Sequence, residues 1–319
     1  MRGSNLLKKK VLTKVLVSLV QYLFLITFSY ILIYPFIYIL STSFKSSSDF
    51  YDPTVQWISK SMTLDNIKAA FMAMEYWKSL LNTIIVGIIP ALIQFCTCAI
   101  YAYGLARFNF RGKKLLSGIM FINILVPVTL LIIPTYVNFQ HMDFLGILGL
   151  VNKISGVDLR PSITDSPLAF YLPAILGVGL KSGLYIYIYS QFYKGLPKEL
   201  EEAAWIDGAG PWKTFLRIIV PSSGSAAVTV LIFSVIWNYS DYYLPQIYLS
   251  ENYPLSVMLN RFRFSLTSIM QYNIGDASNL MSQHVVIASC LIFLVPIVIF
   301  YSFVQKRFIS SISTTGLVG

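Results

Sequence analysis

The sequence predicts an all-α membrane protein with six transmembrane helices and both termini in the cytoplasm. Three observations support this fold class. Charged residues make up only 12% of the 319 residues, and the mean hydropathy is +0.67, whereas a soluble domain carries about 25% charged residues. Six segments are long and apolar enough to cross a bilayer. Lysine and arginine collect in every second connection between those segments.

The six predicted spans follow from length and hydropathy, because a helix needs about 20 mainly apolar residues to cross the hydrocarbon. The first follows four lysines and so resembles the start of a signal peptide. However, its apolar run is too long for one, and no Ala-x-Ala-like cleavage site follows. We interpret it as a retained span. The spans are predicted at residues 15–40, 83–106, 115–137, 168–193, 223–249 and 285–304.

Orientation follows from the positive residues, since cytoplasmic loops of membrane proteins carry an excess of Lys and Arg. With the amino terminus inside, the inner stretches contain 15 of the 24 Lys and Arg, the outer loops contain 8, and Lys181 lies within the fourth span. The net charge of +10 therefore indicates a lipid bilayer as the partner, not nucleic acid. The inner stretches are residues 1–14, 107–114, 194–222 and 305–319.

Local details within the spans give further expectations. Pro127, Pro134 and Pro173 are expected to kink or break their helices. Cysteines at 96, 98 and 290 lie in apolar runs and are interpreted as buried small side chains, not as disulfide or metal partners. His141 and His284 lie in or beside outer loops and are predicted to be surface or interface residues. No metal site is predicted.

The inner loop at residues 194–222 is polar but has the signals of a helix-turn-helix. Pro197 suits the first position of a helix, and three glutamates follow in its first turns, where the helix dipole favours anions. Leu200, Ala203 and Ala204 form a narrow apolar stripe. Asp207 and Gly208 are predicted to end this helix and Pro211 to begin another.

This loop resembles the cytoplasmic signature of the integral membrane subunits of ABC importers. The signature is Glu-Ala-Ala, three residues, Gly, nine residues, then Ile-x-Leu-Pro. The chain has Glu202-Ala203-Ala204, then Gly208, then the run Ile218 to Pro221, with every spacing kept and Val at 220 as the only departure. The match lies between two spans on the inner side, where the family has it.

Weaker similarities extend over residues 35–319 and resemble the carbohydrate-uptake branch, typified by the smaller maltose-transporter permease. The chain departs from that branch in an outer insert at 157–166 and at Tyr239 to Tyr243, where the branch more often has an acidic residue. The similar segments are Pro35-Phe36, Ser43-Phe44-Lys45, residues 79–83, AYGLARFNFR at 102–111, Trp237-Asn238, and the tail at 305–308 with Gly316 and Gly319.

The resemblance implies a type I ABC importer permease fold at 15–304, in the inner membrane of a bacterial cell, with cytoplasmic ends at 1–14 and 305–319. It implies a second permease subunit, in a heterodimer, two cytoplasmic ATPase subunits and an extracytoplasmic solute-binding protein. The coupling residues are implied to be Glu202, Ala203, Ala204, Gly208, Ile218 and Pro221.

The chain is not expected to be an enzyme or to bind a cofactor itself. It has no G-x-x-x-x-G-K-[ST] phosphate-binding loop, so ATP and Mg²⁺ are expected in the partner ATPase. Charged residues inside a span are functional candidates, and sugar sites combine polar groups with flat aromatic faces. The candidate substrate-pathway residues are Lys181, Tyr185, Tyr189, Trp237, Asn238 and Asp241.

Several alternatives stay open. Lys181 and Asp241 are candidates for the cavity or a gate, and could pair with each other or with partners across the permease interface. A structural ion pair or a position at the outer interface is the alternative, which is favoured about two to one. The tyrosines are common as packing or membrane-interface residues. The substrate is expected to be a sugar or oligosaccharide, and a polyol, peptide or amino acid is the alternative. An ion-coupled secondary transporter would need intramembrane carboxylates, of which only Asp241 is present in the predicted spans.

Overall fold

The computed structural model of the chain describes residues 2–143, 146–156, 160–262 and 283–315. Part of the predicted insert at 157–166, most of the outer loop at 250–284, and Gly316 and Gly319 of the predicted tail lie outside the described residues. Within them the secondary structure is helical, with one isolated bridge between Lys45 and Met62. The predicted all-α class is therefore confirmed for the described part of the chain.

The helices are numbered in chain order. Two are π-helical turns, named π1 and π2. Pro90 lies two residues after the end of π1, and Pro221 lies two residues after the end of π2. Proline has no N–H and its ring is bulky, so each disturbs the helical turn before it. The elements are α1 Arg2–Ser43, α2 Ser47–Tyr51, α3 Asp65–Ala73, α4 Tyr76–Thr83, π1 Ile84–Ile88, α5 Ile89–Arg107, α6 Lys113–Leu125, α7 Val128–Gln140, α8 Ile147–Ser155, α9 Leu168–Ile175, α10 Ser182–Gly195, α11 Glu199–Ile206, α12 Pro211–Thr214, π2 Phe215–Ile219, α13 Val220–Ser222, α14 Gly224–Ser240, α15 Tyr243–Tyr248, α16 at 255–262, and α17 Gln283–Thr315.

Three uninterrupted helical stretches in the described residues are long and apolar enough to cross a membrane: Leu12–Ser43, Tyr76–Arg107 and Gln283–Lys306. Two more qualify if bent pairs are joined, α6 with α7 across 108° and Pro211–Ser222 with α14 across 82°. The first bend follows Pro127, as predicted, whereas α7 continues through Pro134 and α9 through Pro173. The count of six spans stays a prediction.

The predicted fourth span, 168–193, is not one continuous helix in the structure. Residues 176–181 separate α9 from α10, and Gly177 and Lys181 have φ of +67° and +60° there. These left-handed conformations cannot continue an α-helix. Hydropathy alone missed the interruption, because the separating residues Leu176 to Leu180 are apolar or glycine.

The chain divides into two compact units, the first comprising residues 1–72 and 268–292. In this unit the Lys45 ammonium donates to the carbonyls of Val55 and Gln56, and Asn66 Nδ2 donates to those of Ser43 and Lys45. His284, predicted to be a surface or interface residue, is buried within this unit, and its Nε2 lies 3.3 Å from the Ser47 hydroxyl. The segment between α1 and α3 is thus held by hydrogen bonds from Lys45 and Asn66.

The second unit comprises residues 73–267 and 293–319. Its core forms where α5 packs against α10 and α14, with α6 and π2 alongside. Three tyrosines of α10, at 185, 189 and 193, follow one another at four-residue spacing and are fully buried. The residues around them are mostly small or aromatic, among them Cys98, Ala102, Tyr103, Phe215 and Val230.

Candidate functional site

The inner loop folds as a helix-turn-helix, as its sequence indicates. Helix α11 begins at Glu199, two residues later than predicted from Pro197, and its first turn carries the three glutamates. Gly208 follows the helix with φ of +77°, a conformation that glycine adopts without a side-chain clash. Pro211 is then the first residue of α12.

The two faces of α11 differ in exposure. Glu201 and Ala204 are buried, whereas Glu202 and Ala203 are exposed and Leu200 is partly exposed. The predicted stripe of Leu200, Ala203 and Ala204 is therefore not one packed surface. Ala204 is turned into the protein, and the outward face carries Glu202 and Ala203 with the exposed apolar side chains of Trp205 and Ile206, the latter 85% exposed.

A buried ion pair holds the inward face of α11. Arg107 Nε, at the end of α5, lies 3.1 Å from Glu201 Oε1, and the two side chains are 6% and 5% exposed. Arg107 Nη2 also donates to the carbonyl of Leu196 at 2.8 Å. The sequence analysis did not predict this pair. The stretches 107–114 and 194–222 do contain residues of opposite charge, which could have suggested it.

The second half of the signature lies where the chain turns back toward the core. Ile218 is half-buried in π2, beside the fully buried Ile219. Pro221 is exposed in the short helix α13, immediately before the 82° bend into α14. The signature thus spans α11, the turn at Gly208 and the bend at which α14 begins.

A cavity of about 120 Å³ lies within the second unit. Six polar side chains face it from α5, α6, α7, the start of α10 and the end of α14: Gln94, Asn123, Thr135, Lys181, Asn238 and Asp241. Much of the remaining wall is apolar, and its aromatic members are Phe170 and Tyr248, whose rings are 5.8 Å apart.

Gln94 is the centre of the polar contacts beside this cavity. Its Nε2 donates to the Leu180 carbonyl at 3.1 Å and to the Ser182 hydroxyl at 3.0 Å, and its Oε1 accepts from Asn238 Nδ2 at 2.9 Å. Gly179 permits this arrangement, because a Cβ there would lie 2.3 Å from Gln94 Nε2. Gln94 and Asn123 were not among the predicted substrate-pathway residues. Gln94 could have been predicted, because a single amide side chain within an apolar span often bonds a neighbouring helix.

The structure brings together three of the six predicted substrate-pathway residues, Lys181, Asn238 and Asp241, at the cavity wall. Lys181 and Asp241, both described, do not pair with each other. Lys181 Nζ lies 5.9 Å from the centre of the Trp237 ring, and Asp241 Oδ1 accepts from the amide of Tyr243 at 3.0 Å.

The other three predicted residues lie apart from the cavity wall. Trp237 stacks on Tyr185 at 6.0 Å, and Tyr189 stacks on Tyr193 at 5.7 Å. Tyr185 and Tyr189 are fully buried in the core. The described residues contain no cluster of His, Cys, Asp or Glu suited to a metal ion, and Cys96 is exposed, contrary to prediction, while Cys98 is buried.

Comparison with known proteins gives a family for this chain. The family described as binding-protein-dependent transport system inner membrane component matches residues 96–314. The matched range includes the inner loop and five of the six polar residues of the cavity wall, at 123, 135, 181, 238 and 241.

Similar proteins also match over nearly the whole chain. The probable starch degradation products transport system permease protein AmyC of Thermoanaerobacterium thermosulfurigenes is 27% identical, covering 90% of this chain and 92% of that protein. The diacetylchitobiose uptake system permease protein NgcG of Streptomyces coelicolor is 28% identical, covering 92% and 87%. The trehalose transport system permease protein SugB of Mycobacterium tuberculosis is 27% identical, covering 89% and 92%.

A solved structure has the same fold. One chain of a bacterial ABC transporter involved in the import of the acidic polysaccharide alginate superposes with a TM-score of 0.66 at 18% identity, covering 92% of this chain and 96% of that one. The match extends to elements outside residues 96–314, so the shared fold is not confined to the inner loop and its flanking helices.

Proposed function

The chain belongs to the family of binding-protein-dependent transport system inner membrane components, the permease subunits of ABC importers, and we propose that it forms part of a sugar or oligosaccharide pathway. In this proposal the chain crosses the bacterial inner membrane six times with both termini in the cytoplasm. A second permease subunit completes the pathway, two cytoplasmic ATPase subunits bind and hydrolyse ATP, and an extracytoplasmic binding protein delivers the sugar.

The observation that carries the proposal is the outward face of α11. Glu202 and Ala203 of the signature are exposed there beside Ile206, an isoleucine with most of its side chain in contact with solvent. Exposed apolar residues grouped with a charge are typical of protein interaction surfaces. We propose that this face enters a groove of the ATPase subunit and that the turn at Gly208 lets the backbone approach closely.

The carbohydrate part of the proposal rests on the substrates that the names of the relatives give and on the chemistry of the cavity. Amide, ammonium and carboxylate groups from Asn123, Lys181, Asn238 and Asp241 can bond sugar hydroxyls, and Phe170 and Tyr248 supply aromatic faces. This assigns the aromatic contacts of the pathway to residues other than the predicted Tyr185 and Tyr189. Another solute, such as a polyol or peptide, is the alternative substrate class.

The coupling proposal is tested with the complete transporter in proteoliposomes, by measuring ATP-dependent sugar uptake and the amount of ATPase retained on the purified permease. Glu202→Lys combined with Ile206→Asp is expected to lower ATPase retention and uptake at least about tenfold, since central interface residues often cost more than 1.4 kcal/mol each. Lys68→Glu is the matched control: its side chain is exposed on α3, in the outer loop under the proposed topology, and it should change neither quantity. Normal retention and uptake in the double variant would refute the coupling role.

The substrate class is tested separately by offering the same proteoliposomes a panel of labelled oligosaccharides, polyols and peptides together with the cognate binding protein. ATP-dependent uptake of one oligosaccharide class is the expected result. Uptake of a peptide or polyol alone would leave the importer assignment in place and remove the carbohydrate one.

A further inference from the structure

The ion pair between Arg107 and Glu201 connects two elements that are far apart in the chain. Arg107 is the last residue of α5, and Glu201 lies in the first turn of α11. Their side-chain atoms approach to 3.1 Å, and Arg107 also binds the Leu196 carbonyl in the connection before α11. One guanidinium therefore contacts both the start of α11 and the segment that leads into it.

This pair is costly to bury, because both charges lose water and the attraction between them often only offsets that loss. The pair also lacks full hydrogen bonding, since Arg107 Nε and Glu201 Oε1 do not meet the geometry of a directed bond. Glu199 and Glu202 on the same helix are exposed, so α11 does not need a buried carboxylate in order to form. We therefore expect this buried pair to fix the position of α11 relative to α5 more than to stabilise the fold.

Helix α5 connects this pair to the cavity. Gln94 lies 13 positions before Arg107 on the same helix, about 20 Å away at 1.5 Å per residue. It bonds Ser182 at the start of α10 and Asn238 of α14, two elements of the cavity wall. Because α5 is continuous between Gln94 and Arg107, a displacement of its Arg107 end would also move Gln94 beside the cavity.

Aromatic packing supports the same connection. Tyr103, one turn before Arg107, interacts electrostatically with both Glu201 and Arg107. Its ring lies 4.9 Å from Phe215 of π2 and 6.2 Å from Tyr193 of α10. The end of α5 is therefore packed against both halves of the inner loop, on the α11 side through charge and on the π2 side through aromatic rings.

We propose that Arg107 and Glu201 are positioning residues that make α11 and α5 move as one unit, so that displacement of α11 by the ATPase reaches the cavity. The inference rests on the proposed function, because it presupposes that α11 contacts an ATPase. It differs from that proposal in assigning the transmission to the inward face of α11, whereas the docking surface is the outward face.

The test measures the ratio of sugar taken up to ATP hydrolysed by the complete reconstituted transporter. Arg107→Gln and Glu201→Gln are each expected to lower this ratio about fivefold or more, the usual lower bound for loss of coupling between two sites. ATP hydrolysis itself should continue, because the outward face of α11 is intact. Lys68→Gln, which breaks the exposed pair between Lys68 and Asp65, is the control and should leave the ratio unchanged.

A charge reversal distinguishes positioning from simple loss of structure. Arg107→Glu combined with Glu201→Arg is expected to recover part of the ratio, and a reversal no better than the single variants would overturn the inference. The inference would also be overturned by single variants that assemble normally and in which uptake and ATP hydrolysis fall in proportion, so that their ratio is unchanged. If the glutamine variants do not assemble, Arg107→Lys decides, since it keeps the charge and changes the reach: a lowered ratio supports the inference, and a normal ratio overturns it.

The two proposals fail in different ways. A wild-type complex without ATP-dependent uptake would remove the proposed function and this inference together. An active wild-type complex in which the variants keep a normal ratio would remove this inference alone.

Discussion

The inner loop and the cavity are built in opposite ways. The loop at 194–222 is one continuous segment, and its two helices and the turn between them are predicted by residues within the segment itself. Gly208 lies in the turn and Pro211 begins the second helix. The cavity takes its polar side chains from α5, α6, α7, α10, α14 and the residues beside them. A local change should therefore disturb the loop locally, whereas one substitution at the cavity should disturb several elements at once.

This difference is consistent with the separate tasks that we propose for the two regions. A surface that docks into another subunit needs a stable local shape, which one short segment can supply. A pathway that opens and closes needs walls from elements that can move relative to one another. Substitutions in the two regions test this contrast, beginning with the largest expected effect.

Gln94→Leu should cause the largest loss, because Gln94 is almost fully buried and bonds three partners, one in α10, one in α14 and one in the segment before α10. Each partner left unsatisfied costs about 1–3 kcal/mol. We expect a lower thermal unfolding temperature of the purified subunit in detergent and loss of uptake. Cys96→Ala, at an exposed position of the same helix, is the control. A normal unfolding temperature in Gln94→Leu would contradict the view that one residue joins α5, α10 and α14.

Gly183→Ala should have the next largest effect. A Cβ at this position of α10 would lie 2.7 Å from the Met120 carbonyl oxygen and 2.8 Å from Asn123 Oδ1, so α6 and α10 would have to separate. Overpacking of this kind costs about 1–3 kcal/mol. Thermal unfolding of the purified subunit measures it.

Gly104→Ala on α5 is the matched comparison for Gly183, because no atom lies within 4 Å of a Cβ there. It should raise stability slightly, by about 0.5–1 kcal/mol, since alanine is the better helix residue. Equal effects of the two substitutions would show that close packing between α6 and α10 is not what makes position 183 sensitive.

Gly208→Ala should have the smallest effect on unfolding of the core, because the strain that it introduces is confined to the exposed loop. Its φ of +77° costs a residue with a Cβ about 1–2 kcal/mol, although the surrounding space is open. We expect weaker ATPase retention with little change in the unfolding temperature, because the loop is exposed. Gly210→Ala, where φ is −72°, is the control and should retain the ATPase normally. A large drop in unfolding temperature for Gly208→Ala would break the contrast between the two regions.

Much of this protein could be predicted from the sequence where the signal is local or compositional. Low charge and long apolar segments indicate a membrane protein, and three of the predicted spans are continuous helices in the structure. The spacing from Glu202 to Pro221 indicated the family, which comparison confirmed. Helix ends at Gly208 and Pro211 were predicted because backbone geometry at glycine and proline depends mainly on the residue itself.

Other features depend on contacts between distant residues, and only the tertiary structure decided them. Which glutamate of α11 turns inward is set by Arg107, some 90 positions earlier in the chain. The break in the predicted fourth span occurs where Gly179 lies against Gln94 of another helix. Hydropathy and residue spacing carry no information on contacts between distant residues. They predict which segments enter the membrane, but not which polar side chains contact each other within it.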